Sequence, residues 1–600
     1  MMGSNMWSHA LAILLIILLA GLYLYLRIRR NPFNPQSGIR NIPISIESMT
    51  EFVKNSLHHL THSQLSDLGL HEEEYRKRLN KRTELRRALK GCVSGDPLDK
   101  LYVKSILKEL LMTKLRLSEF EINAALPFDQ HERLTSRDKF DIMLYLFKQD
   151  FKDQALSHMI EKYQLAEPRI LEAYGSDKVY AVTAEDIEYM YANEIRMLSK
   201  EEKLDIVVQR IYQHYKGFSV IDEIRDQRID GVSGGVSGSI GKLPMQQLEL
   251  NMDLFSSDPA GECESVWLFY KGISLHLGFL SFEQPNELKR VCQNIYKYNH
   301  PGQLSETAGY KVNEMKDGSR VVVVRPPFSE TWAFFVRKFD IEDVSLEQLI
   351  QGREAYLPIG LLAYLMKGSR ITAITGAQGS GKTTLLMAMI KYIYATYSIR
   401  VQEMSFELQL RKIYSRRNIL SFRETPHISG QRGLDLQKKT DGTVNILGEV
   451  ASDEVASWMI QMSQVASLFT VFTHHAKTFN DLVFSLRNSL LKSGMFQQEE
   501  VAEQQVVSVI NFDIHLKRDH TGHRYIERIT ECIPSLKGSF PDSESKAGFQ
   551  YRNIIEYRDG GYEAVFPIST SSVEEMKGHM QPEDIQAFND FLHTGWGYTA

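Results

Sequence analysis

The first apolar block has no helical or strand period: from Trp7 to Leu26 about twenty residues run without a charge. At roughly 1.5 Å per residue a helix of that length spans about 30 Å, the thickness of a bilayer's hydrocarbon core. Arg27, Arg29 and Arg30 follow at once and no Lys or Arg precedes the block, so the positive-inside rule puts the rest of the chain in the cytoplasm. A cleaved signal peptide needs a basic segment before the apolar core and small residues after it, the reverse of this order. Residues 1–30 are therefore expected to be an uncleaved single-pass anchor in the cell membrane.

Beyond it the pattern turns helical. Over 31–205 apolar residues recur three and four apart, as in Leu101 to Leu115 and Phe140 to Phe151, which predicts a helical cytoplasmic region. Its charge runs, such as His71 to Arg87, read as solvated helix faces. Gly231 to Gly241, GVSGGVSGSIG, has the composition of a flexible link or a glycine hairpin. Alternating segments Val266 to Tyr270 and Val321 to Val324 flank a helical stretch, Glu287 to Tyr298, and predict a small α/β domain over 206–340. Within it Pro326 and Pro327 end one strand, and Thr331 to Phe339 is the next. Over 341–570 strand-like Arg370 to Thr375, Val444 to Leu447 and Leu468 to Phe472 alternate with helical runs, the signature of a mainly parallel sheet. Residues 571–600 are left as a C-terminal tail.

Composition changes this picture little. Six hundred residues exceed one hydrophobic core. With 43% hydrophobic residues, 24% charged and a net charge of −5, there is no basic field to draw nucleic acid, which is not expected as a partner. Cys92, Cys263, Cys292 and Cys532 lie far apart, offering neither a zinc pair nor a disulfide framework, the usage of a reducing cytosol.

The chemistry sits in the parallel-sheet region. Gly376-Ala-Gln-Gly-Ser-Gly-Lys-Thr383 matches GxxxxGK[ST] and lies between the apolar strand Ile371 to Thr375 and the helical run Thr384 to Tyr392, the context this motif requires. Gly376, Gly379 and Gly381 let the backbone curl so that its N–H groups, with Gln378, Ser380 and Thr384 beside them, face phosphates. Lys382 reaches the β and γ phosphates, and the Thr383 hydroxyl suits Mg²⁺ at the positive end of a helix. The segment Val444 to Leu447 ends in Gly448-Glu449, and a carboxylate at such a strand tip suits the Mg²⁺ shell or the attacking water.

The order of P-loop, FELQL, ILGEV and THHAKT resembles the type II/type IV secretion ATPase superfamily, in its CpaF-like, tight-adherence pilus branch. Upstream, Asp317-Gly-Ser-Arg320-Val, Pro326-Pro327 and Phe335-Val-Arg337-Lys-Phe339 resemble the DGSRV, PP and IRKF elements of that family. Downstream, Asn511-Phe-Asp-Ile-His-Leu and Arg528-Ile-Thr-Glu531 resemble its late hairpin. The similarity runs from about 200 to 570. It implies a RecA-like ATPase that binds ATP and Mg²⁺, assembles as a homo-hexamer and pushes on an inner-membrane platform protein of a pilus or secretion machine. Glu403 and Glu407 fall on the glutamates of the family's Asp box, with roles in water activation and Mg²⁺ support beside Glu449. His474 matches the His-box position by ungapped count and His475 by the THHA pattern, and both stay open. Arg320 and Arg337 match arginines that reach the nucleotide's phosphates from the N-terminal domain. Met404 replaces the Asp-box Asp, Ala451 replaces the arginine after GEV, and Val465-Ala466 replaces a Thr-Gly pair. Those losses favour, as an alternative, a degenerate nucleotide-binding scaffold; a DNA-handling RecA-like motor is a further alternative, which calls for a basic surface that the near-neutral composition does not clearly offer.

Overall fold

The computed structural model describes residues 45–62, 72–171, 175–237, 265–339, 344–425, 427–465, 467–519, 522–534 and 549–597. The expected membrane anchor and its arginines lie outside them; among the described residues no helix is long and apolar enough to cross a membrane. The chain divides into two units: residues 1–159, 183–226 and 279–282 in the first, and 160–182, 227–278 and 283–600 in the second.

The first unit is helical: α1 (Ile46–His62), α2 (Glu72–Gly91), α3 (Pro97–Leu110), α4 (Glu119–Ala125), α5 (Ser136–Phe151), α6 (Ala155–Lys162), α7 (Ala184–Glu194), α8 (Lys200–Tyr215) and α9 (Asp222–Arg225); α6 runs on into the second unit. Local chemistry sets their starts. The side chains of Ser118, Thr135, Thr183 and Ser199 cap four helices by accepting from the backbone N–H of the residue three on, whose acidic side chain accepts in return from the cap residue's own N–H, which satisfies two otherwise orphaned N–H groups at each start. The charged run on α2 is exposed along most of its length. Other charges are structural: buried Lys100 lies 2.6 Å from Asp222, 2.7 Å from Glu223 and 2.6 Å from Asp226.

The second unit carries a two-stranded pairing of β1 (Arg169–Ile170) with β2 (Lys178–Val179) and two large sheets. The smaller is built from β3 (Ala181–Val182), β4 (Gly231–Gly234), β5 (Ser265–Tyr270), β6 (Ile273–Ser281, whose last three residues fall in the first unit), β7 (Tyr310–Glu314), β8 (Arg320–Val324) and β9 (Ala333–Arg337) in the order β3-β6-β5-β4-β9-β8-β7, with α10 (Pro285–Ile295) between β6 and β7 in sequence. Here the reading of Gly231 to Gly241 as a link or hairpin needs correcting. Gly231–Gly234 is a buried internal strand paired antiparallel to both β5 and β9. The reason is close approach: a Cβ on Gly231 would sit 2.3 Å from the Val336 carbonyl oxygen, so the strand fits where only glycine does. Composition alone could not separate that use of glycine from a flexible one.

The larger sheet follows: α11 (Leu346–Leu349), α12 (Tyr356–Lys367), β10 (Thr372–Gly376), α13 (Lys382–Ile390), β11 (Ile399–Glu403), α14 (Leu410–Ile413), β12 (Ile419–Arg423), α15 (Gly430–Gln437), β13 (Val444–Leu447), α16 (Asp453–Val465), β14 (Phe469–His474), α17 (Phe479–Lys492), α18 (Glu499–Val509), β15 (Phe512–Arg518), β16 (Arg524–Pro534), β17 (Phe549–Arg558), β18 (Gly561–Ala564), α19 (Thr570–His579) and α20 (Pro582–Trp596). Its order is β12-β11-β13-β14-β10-β15-β16-β17-β18, parallel through β15 and antiparallel after it. Both faces are covered, as parallel strands require. Ile374, Ile446 and Val471 point into a core shared with α12, α13, α19 and α20, while their neighbours Ala373, Leu447 and Phe472 point into one shared with α16, α17 and α18. The expected C-terminal tail is thus a working layer: Met576 and Phe588 are fully buried, and the Ser569 cap of α19 is held by buried Glu531.

Candidate active site

The sheet order brings together residues distant in sequence. β11, β13, β14 and β10 are consecutive neighbours, so Glu403 at one tip, Glu449 two residues past the next, the histidines at the third and the glycine loop at the fourth share the carboxyl edge of the sheet, where open α/β sheets place ligands.

The loop from β10 to α13 is shaped by glycine. Gly376, Gly379 and Gly381 have φ of +141°, +75° and +97°, values L side chains rarely adopt, and Gly381 starts α13 with no side-chain cap. The first N–H groups of that helix are thus free for an anion. The Ser380 hydroxyl is buried with no hydrogen-bond partner among the described residues, a polar group that a bound phosphate would satisfy. Gln378 is exposed, and Thr383 and Thr384 are half-buried in the first turn of α13. These features fit a phosphate chain, and the Thr383 and Glu449 oxygens are a donor set suited to Mg²⁺.

Lys382 is buried, with Nζ 3.0 Å from the carbonyl oxygens of both Gly376 and Ala377 and 3.3 Å from His475 Nδ1. Burial lowers its pKa to about 8, against the opposing pull of Glu449. His475 Nε2 lies 3.2 Å from Glu449 Oε1. An ammonium only donates and a carboxylate only accepts, so neutral His475 takes the Nε2–H tautomer and links Lys382 to Glu449. His474 points elsewhere: Nδ1 is 3.0 Å from the Val450 carbonyl and Nε2 3.0 Å from Ser485 Oγ, and burial lowers its pKa. Of the two histidines, His475 is the one at the phosphate loop.

The remaining predicted residues form a second group. Glu403 is buried, accepts from Leu408 N at 2.7 Å, and is pushed up to about 7 by burial against its backbone hydrogen bonds; its Oε1 has no hydrogen-bond partner among the described residues. Glu407 accepts from Arg320 Nη1 at 2.7 Å and from Ser405 Oγ at 3.1 Å. Arg320 stands directly opposite Arg337 across β8 and β9. Arg337 is exposed and makes no ion pair among the described residues. Arg320–Glu407 and Arg423–Glu314 thus join the smaller sheet to the loop after β11 and to β12.

No family model matches the sequence, and no curated protein matches it. Solved structures similar to it include the VirB11 ATPase from the Brucella suis type IV secretion system in complex with sulphate, at 18% identity over 44% of this chain and 85% of that one, TM-score 0.27. The Legionella pneumophila ATPase DotB gives 15%, 55%, 82% and 0.34, and the pilus retraction motor PilT with bound ADP gives 16%, 59%, 90% and 0.34. At these identities and TM-scores the likeness decides nothing about function, which the site's own geometry has to carry.

That geometry includes groups to which the motifs gave no role. Thr375, the last residue before the loop's first glycine, donates to Asp513 Oδ1 at 2.7 Å and accepts from His515 Nδ1 at 2.9 Å. Both partners come from β15, in register at Ala373↔Asp513 and Thr375↔His515. Burial pushes Asp513 up to about 6 and His515 down to about 4. The only sequence sign was the alternation Asp513, His515 on one face of an apolar strand. From β16, Arg524 reaches the loop's Gly379 carbonyl at 3.0 Å, and no spacing pointed to it.

Proposed function

We propose that this chain is an ATP-hydrolysing motor that powers assembly of a type IV pilus of the tight-adherence kind, or type II/IV protein secretion. The observation that carries the reading is the linked set Lys382, His475 and Glu449 at the mouth of a glycine-shaped, uncapped phosphate loop. Lys382 neutralises the phosphates; Glu449, oriented by His475, receives the proton of the attacking water or aligns it. Mg²⁺, held by Thr383 and Glu449, would supply charge neutralisation at the transferring phosphate. Arg320 and Arg337 add positive charge from the smaller sheet. Assembly as a homo-hexamer, pushing on an inner-membrane platform protein, anchoring by residues 1–30 in the cell membrane, and membership of the CpaF-like branch belong to the same proposal, supported by the motif order; nucleic acid is not among the proposed partners.

A second reading, a nucleotide-binding scaffold, is favoured by one observation: Met404 is exposed in the Asp position, Glu403 is buried with its pKa pushed up to about 7, and Glu407 is engaged by Arg320, so the loop after β11 offers less carboxylate to the reaction than an Asp there would. Steady-state phosphate release by the full chain in membranes separates the two. The motor predicts turnover that Lys382→Ala abolishes while the fold is kept; ATP binding with no turnover in the parent chain selects the scaffold, and full turnover by Lys382→Ala refutes the site.

A further inference from the structure

Resting on the ATP reading above, we infer that Arg524 is a positioning residue that aims the Ser380 N–H into the phosphate loop. Arg524 opens β16, and its Nε donates to the Gly379 carbonyl oxygen at 3.0 Å. The Gly379–Ser380 bond is trans, and in a trans peptide the carbonyl and the following N–H point in opposite directions. Holding the Gly379 oxygen outward on the arginine therefore turns the Ser380 N–H inward. It is found there, pointing back across the loop at the Ala377 oxygen, 3.3 Å away, to which Lys382 Nζ also donates at 3.0 Å. Gly379, with φ of +75°, has two open ways to turn its peptide unit, so the loop's own backbone does not choose between them. The arginine does.

Two features outside the loop hold Arg524 in place. A Cβ on Gly272, in the turn between β5 and β6, would lie 2.2 Å from Arg524 Nη2, so the guanidinium occupies the space that this glycine leaves. The Gly272 N–H in turn donates to Asp230 Oδ2 at 2.7 Å, and the Asp230 charge attracts Arg524 while Arg518, opposite it on β15, repels it. The smaller sheet thus fixes an arginine that fixes one peptide plane of the phosphate loop.

The lost contact is made in the ground state as well as the transition state, so its removal acts on binding. Arg524→Met in the full chain should weaken affinity for a fluorescent ATP analogue and raise KM about tenfold, with kcat changed less than about threefold. Gly272 has φ of +75°, so Gly272→Asn, a residue that tolerates that conformation and whose Cβ already enters the guanidinium's space, should reproduce the KM rise. The double variant should be no worse than either single one, and Arg524→Lys should recover part of the loss. ATP affinity within twofold of the parent in Arg524→Met, or additive effects of the two substitutions, would overturn the inference. Failure of the parent chain to bind ATP, or binding that survives Lys382→Ala, would instead overturn the function on which it rests.

Discussion

Replacing Glu449 by Gln removes one charge and almost no volume. Its carboxylate meets His475 at 3.2 Å, but the two side chains are 43% and 48% exposed, and ion pairs that open to water contribute about 0–1 kcal/mol to stability. The variant should melt within a degree or two of the parent. Nucleotide affinity should hold or rise slightly, because a negative charge beside the phosphates is lost. Turnover should not survive so well: a charged group acting mainly in the transition state is worth on the order of 10² to 10³ in kcat, about 3 to 4 kcal/mol. A second signature comes from Lys382. Its pKa of about 8 is already lowered by burial and is raised back by Glu449, so without that carboxylate the alkaline limb of ATP binding should move to lower pH. The assays are phosphate release at saturating ATP, titration with a fluorescent ATP analogue across pH, and thermal melting. A kcat within threefold of the parent, or affinity and turnover falling together, would refute the assignment of Glu449 to the reacting water.

The two histidines should separate by what they lose. His475→Ala should lower turnover with an unchanged melting temperature. His474→Ala leaves the buried Val450 carbonyl and Ser485 hydroxyl without their partner and should cost about 1–3 kcal/mol of stability, read as a lower denaturation midpoint. Asp513 carries a pH dependence: its folded pKa is raised from 3.8 to about 6 by burial, so its contribution is fully present below about pH 4 and is lost as pH rises through 6. Asp513→Asn removes that loss, so the variant should gain up to about 3 kcal/mol relative to the parent between pH 4 and pH 7; denaturation midpoints at the two pH values that shift in parallel would contradict it.

The parallel sheet was legible because each strand carries its own signal. Val444 to Leu447 is a four-residue run, apolar but for Asn445, buried on both faces, and the strand and helix around the glycine loop follow from period and punctuation alone. What the chain's linear order could not show is adjacency. Glu449 and His475 are twenty-six positions apart and meet only because β13 and β14 pair in register, with Leu447 opposite Phe472, and no count along the sequence distinguishes His475 from His474, whose side chains leave opposite faces of the chain. The same limit hid Arg524, whose role depends on a strand pair that brings it to Gly379 and on a glycine in the turn between β5 and β6 that makes room for it. Gly376, Gly379 and Gly381, all at positive φ, were legible as a curled loop from their motif, whereas Gly231 was illegible in β4, where it serves a neighbouring strand's carbonyl. The residues that sequence could name are those whose chemistry is local to a motif; the ones it could not are those that hold the motif in shape from elsewhere. Substitutions of the second kind should therefore move nucleotide affinity before they move the chemical step, and Arg524 against Glu449 is the pair in which that order is measurable.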